Sequence, residues 1–227
     1  MLKPILLSFY IFVAAILPIS TIIMSKAKKK TILVVLGAFV YIIGSIFLFI
    51  ANAMMINVYV YCVLSAALIG ICVYFAGKML MHGCGDEDAM VEYGGFALLN
   101  TFITKVIAYV PLISMGFAMN GLGGAVGNLD SEISAELINN YNSIGNLEII
   151  IATLNMIATY FTLRIIFVRL TVLKSKRNFI EYLIISFLVY FIGYLPLQTV
   201  YLLIFNIALY IITIFYFSKF GKQKNVR

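Results

Sequence analysis

Between Lys30 and Asn52 the chain reads "TILVVLGAFVYIIGSIFLFIA", residues 31–51, without one charged side chain. About 20 such residues in a helix match the hydrocarbon thickness of a bilayer. In lipid no water satisfies the backbone, so a crossing segment is either a helix or part of a closed barrel. A barrel strand would alternate apolar and polar side chains over about ten residues. This run is apolar at almost every position, which leaves the helix.

Comparable runs recur at about 5–24, 58–80, 95–119, 148–170, 179–195 and 199–217. The expected fold is all-α: a polytopic membrane helix bundle of about seven transmembrane helices, one domain over residues 1–227. Composition agrees, with 63% hydrophobic and 11% charged residues. Soluble domains carry about half and about a quarter. No small-residue cleavage site follows the first run, so it is expected to stay as an anchor.

Charge sets the expected orientation. Basic residues cluster at Lys26–Lys30, at Arg164–Arg177 and at Lys219–Arg227, after the first, fifth and seventh runs. Seven spans put all three clusters on one face, which the positive-inside bias makes cytoplasmic. The N-terminus is then outside and the C-terminus inside, in a multi-pass protein of the cell membrane. Residues 81–94 become an acidic cytoplasmic loop, and 120–146 an extracytoplasmic loop with a short amphipathic helix starting near Asp130. Residues 218–227 become a basic cytoplasmic tail. The net charge of +7 lies beside membrane runs rather than in a basic domain, so nucleic acid is not an expected partner. The lipid bilayer is the expected one.

Ionisable and amide side chains at membrane depth are costly and mark function by default. Lys105 lies ten residues into the fourth run, with Asn100, Thr101 and Thr104 nearby. Asn155 and Tyr190 reach a comparable depth in the fifth and sixth runs. Two roles stay open for Lys105: a functional pocket, or a structural bond to helix carbonyls or a carboxylate. For Asn155 an interhelical hydrogen bond is the simpler role.

The lone histidine, His82, stands in "HGCGDEDAM" with Cys84, Asp86 and Asp88. These are weak metal candidates. All fall within seven residues of one loop, and one histidine cannot complete the usual ligand sets. The expectation is no metal and no cofactor. Three cysteines without paired spacing give no disulfide framework.

Several segments resemble the YhfC-like intramembrane peptidases, distant relatives of the CAAX prenyl endopeptidases. The similarity covers the leading helix with its lysine cluster, "LGAFVYIIGSIFLF", "VYFAGKMLM", "DAMVEYGGF" and the sixth run with Pro196. The resemblance implies water activation by glutamate and histidines. At the matching positions this chain has Ile69 and Gly70 for the paired glutamates and Val73 for an arginine. Tyr93, Asn155 and Tyr190 stand for histidines, and Tyr194 for an aspartate. Water activation requires a base of suitable pKa or a metal with ligands that lose protons. The set present supplies neither.

The resemblance therefore implies a catalytically degenerate member, with no catalytic residues. Lys105, Asn155, Tyr190, Tyr93, Tyr194 and Asn100 become candidates for a pocket that binds a membrane peptide, lipid or membrane-protein partner without cleaving it. Two alternatives remain: a small transporter or channel-like protein with Lys105 in its pathway, and an active intramembrane peptidase with a different catalytic set. Oligomeric state is not legible.

Overall fold

The computed structural model describes residues 1–53, 57–80, 85–121, 131–172, 176–195 and 197–221, and every regular element among them is helical. The order is α1 (Leu2–Met24), α2 (Lys30–Ala53), α3 (Val58–Leu80), α4 (Asp86–Ala97), a π-helical turn (Leu98–Ile103) and α5 (Thr104–Met119). Then come α6 (Ser131–Ser143), α7 (Asn146–Val172), α8 (Lys176–Tyr194) and α9 (Thr199–Gly221). Five stretches are long and apolar enough to cross a membrane: Leu2–Met24, Lys30–Ile50, Glu87–Met119, Asn146–Val168 and Thr199–Tyr216. Two shorter apolar stretches, Val58–Cys72 and Leu183–Gly193, lie within α3 and α8. The chain is an α-helical, multi-pass membrane bundle.

Its surface is the reverse of a soluble protein's. Phe9, Phe12, Phe39, Phe49, Ile107 and Phe215 are exposed, while Thr21, Ser65, Thr162, Ser186 and Thr213 are buried. Outward apolar side chains suit a lipid solvent, and all of these small polar ones but Ser65 bond a nearby backbone carbonyl. Thr21 donates to Pro18 O, Thr162 to Ala158 O and Thr213 to Leu209 O. Such local bonds keep hydroxyls satisfied where water is absent.

The segment 85–94 differs from the loop expected of it. It is helical from Asp86, and α4, the π turn and α5 form one rod. Its three leading carboxylates suit a helix N-terminus, where the unpaired N–H groups carry partial positive charge. The Asp88 carboxylate accepts the Gly85 N–H at 3.1 Å. Beyond it Ala89, Val91, Glu92 and Tyr93 are buried rather than solvated. Counting charges read these residues as loop; the face that α2 covers makes them helix.

That contact is close. A Cβ placed on Gly37 of α2 would stand 1.8 Å from Glu92 O, and one on Gly95 of α4 would stand 2.1 Å from Val34 O. Only glycine allows the two backbones to meet at this distance, as at small-residue crossings of membrane helices generally. At the far end of the rod, α6 packs on α5. Tyr141 is buried there, its ring 2.7 Å from where a Cβ on Gly116 would lie. Lys3 donates to Tyr141 O at 2.8 Å and lies over the same ring at 4.7 Å, fastening α1 to α6.

The apolar interior is divided. One cluster joins α3, α4, α7 and α8 around Ala66, Phe96, Phe167 and Val189. A second joins α1, α5, α6 and α7 around Leu7, Leu112, Ile149 and Met156, and a third, smaller one groups Ala27, Leu33 and Val91.

Candidate functional site

A half-open cavity of ≈ 350 Å³ lies between the first two clusters. Lys105, Asn155 and Tyr190, which the sequence placed at similar depth on three separate runs, all line it. Tyr93 and Asn100 line it too. Five of the six candidate pocket residues thus meet in one space. The side chain of the sixth, Tyr194, lies outside the described residues, as do His82 and Cys84. The Asp86 side chain is outside them as well, and Asp88 is engaged in capping α4. Among the described residues no three His, Cys, Asp or Glu side chains gather as a metal set would.

Each wall has its own construction. Lys105 follows directly on the π turn, whose N–H groups reach back one residue further than in an α-helix: Thr104 N–H bonds Leu99 O. In an unbroken α-helix, side chains five residues apart are rotated by about 140°. The wider π turn brings Asn100 and Lys105 round to one wall. Single π turns of this kind are frequent at functional sites. Thr104 Oγ1 donates to Asn100 O, satisfying a carbonyl in the widened turn.

Lys105 is half-buried and close to the midpoint of Glu87–Met119. Its ammonium makes no hydrogen bond or ion pair with any described residue. The structural alternative for Lys105, a bond to helix carbonyls or a carboxylate, is therefore not what the described residues show.

Asn155 does make the expected interhelical bond. Its Oδ1 accepts Asn206 Nδ2 from α9, and both side chains line the cavity. Asn206 is 2% exposed and lies outside the set of pocket candidates expected from the sequence. The signal was present: "LLIFNIAL" holds one amide in an otherwise apolar run, the same pattern that drew attention to Asn155.

Tyr93 is a fixed part of the wall. Its hydroxyl donates to Tyr160 O at 3.2 Å, and its ring lies 5.4 Å from that of Tyr160 and 5.3 Å from that of Phe167. Tyr160 in turn donates to Leu17 O at 2.8 Å, and its hydroxyl is 3.1 Å from Thr21 Oγ1. The chain of bonds ties α4 to α7 and α7 to α1 around the Pro18 turn. Tyr190 is buried on the facing α8.

A second cavity of ≈ 260 Å³ adjoins the first and shares Tyr10, Tyr109 and Ala152 with it. The rings of Tyr10 and Tyr109 meet edge to face at 5.3 Å between the two spaces. Glu148 lines this second cavity, where its Oε2 accepts Gly145 N–H at 2.9 Å and caps α7.

The positions that the resemblance assigns to glutamate lie on α3. Of these, Gly70 faces Leu183 of α8, 3.8 Å from where its Cβ would be, and does not line the cavity. No family model, no curated protein and no solved structure matches the chain.

Proposed function

We propose that this protein is a non-cleaving relative of the YhfC-like intramembrane peptidases that holds a membrane peptide, lipid or protein partner in the cavity around Lys105. The carrying observation is convergence. Tyr93, Asn155 and Tyr190, the three positions that the resemblance gives to histidine, come from three helices and border one space. A hydrolase would place its water-activating groups there. This chain presents two phenols and an amide already bonded to Asn206, none of which is a base near neutral pH.

The reading includes seven spans in the cell membrane, with the N-terminus outside and the C-terminus cytoplasmic. It is supported by α3 and α8, whose 23 and 19 residues carry the two shorter apolar stretches. The three basic clusters then share one face.

The test is proteolysis. The purified chain is expected to leave a synthetic transmembrane peptide and a lipidated peptide intact, while binding at least one of them or a lipid. Cleavage that disappears in Asn155→Ala or Tyr190→Phe would overturn the reading and restore an active peptidase with its own catalytic set.

The transporter reading draws on one separate observation, the adjoining cavities that share Tyr10 and Tyr109. It expects flux in liposomes that falls in Lys105→Met. Equal flux in both proteins removes it.

A further inference from the structure

We infer that the occupant of the Lys105 cavity is an anionic amphiphile, a carboxylate or phosphate head group on an acyl chain, with Lys105 as its charge partner. This rests on the binding reading above and names the ligand class for that site.

The first argument is charge. An ammonium in a membrane bundle is expensive unless something opposes it. Among the described residues no Asp or Glu lines the Lys105 cavity. Glu148 lines the adjoining space, where it is bonded to Gly145 N–H, and Glu92, next to the lining Tyr93, is buried but does not line the cavity. The counter-charge therefore comes from the ligand.

The second argument is the balance of donors. Lys105 offers three N–H groups and no acceptor. Asn155 uses its carbonyl oxygen on Asn206, and its own amide donors bond no described residue. Asn206 retains one donor beyond the bond it makes. Among the described residues only Ser65 Oγ is sealed without a partner, so the unused donors of Lys105 and Asn155 are open rather than enclosed. An acceptor-rich head group fits this wall. A neutral alcohol accepts hydrogen bonds but leaves the ammonium charge unopposed, and a protonated amine adds like charge.

The third argument is the remaining surface. Met156, Leu163 and Val189 supply apolar wall beside the amides. A volume of ≈ 350 Å³ is at the lower end of small-molecule sites, about 300–1,000 Å³. One head group with part of a chain fits; a folded partner does not. The π turn bears on the same point, because it sets Asn100 beside Lys105 on a wall that an α-helix would split.

The experiment uses the full chain in neutral maltoside micelles, offered oleate, dioleoyl phosphatidylglycerol and monoolein separately, with binding read by native mass spectrometry. Oleate, phosphatidylglycerol or both are expected to bind about tenfold or more tightly than neutral monoolein. Lys105→Gln is expected to bring the three towards parity, and Lys105→Arg to restore the preference. Stronger binding of oleate identifies a free fatty acid as the source of the anion; stronger binding of phosphatidylglycerol identifies a membrane lipid.

Equal binding of monoolein by the unaltered chain overturns the inference while leaving a ligand-binding cavity in place. So does an anion preference that survives in Lys105→Gln. Failure of all three probes to bind overturns the inference, and peptide binding without cleavage would then be what remains of the broader reading. The comparison among probes on the unaltered chain decides the matter even if Lys105→Gln does not fold.

Discussion

The seam between α2 and α4 and the seam between α7 and α9 join helices in lipid by opposite means. At the first, Gly37 and Gly95 present no side chain at the two closest approaches, and the backbones close on one another. At the second, Asn155 and Asn206 hold the helices through one hydrogen bond between side-chain amides at the edge of a cavity. Lipid tails are as apolar as leucine, so burying more leucine adds little to association inside a bilayer. What remains is close van der Waals packing or a polar bond. The close seam leaves no room for a ligand, and the polar seam does.

The contrast is most sensitive at the glycines. Gly37→Ala forces a Cβ into Glu92 O, and the expected loss is about 3 kcal/mol of stability or failure to fold. Thermal unfolding in detergent measures it, with Gly70→Ala as the control, since a Cβ there meets only Leu183 at 3.8 Å. Equal loss in both variants would break the distinction between a closed seam and ordinary packing.

A smaller effect is expected at the amides. Asn155→Leu, Asn206→Leu and the double variant form a cycle whose coupling should fall at about 0.6–1.7 kcal/mol. Additive losses would mean that the two residues act separately, and that the cavity edge is held by something else.

The smallest effect is at Tyr93. Tyr93→Phe removes the donor to Tyr160 O and keeps the ring contacts, so the cost should be about 1 kcal/mol. Ligand binding in that variant should be unchanged, because the hydroxyl is committed to the wall. A large loss of binding with unchanged stability would instead place Tyr93 against the ligand.

The helices were legible to within a few residues, because a run that must bond its own backbone in lipid announces its length. The runs at 31–51 and 58–80 nearly coincide with α2 and α3. The exception is the start of the fourth. Its acidic residues read as solvated until the structure brings α2 against that face, and no local pattern encodes a neighbour about 50 residues earlier in the chain.

The candidate site was legible in part and for the same reason. A lysine or amide in an apolar run is conspicuous, so Lys105, Asn155 and Asn100 stand out singly. Tyr10, Tyr109 and Tyr160 do not, because tyrosine is the commonplace aromatic of this chain, with 15 copies and no tryptophan. Only position separates a tyrosine that lines the cavity from Tyr59 or Tyr201, which are exposed.

By itself the sequence determined the solvent this chain lives in, the helical state of its long runs and the few side chains too polar for their surroundings. Each of these follows from the local cost of exposing a group to lipid. Only the tertiary structure decided that Lys105, Asn155 and Tyr190 share one space, that Asn206 is the partner of Asn155, and that Gly37 and Gly95 form a closed seam. These depend on which helix faces which, and that is settled by contacts between residues distant in the chain.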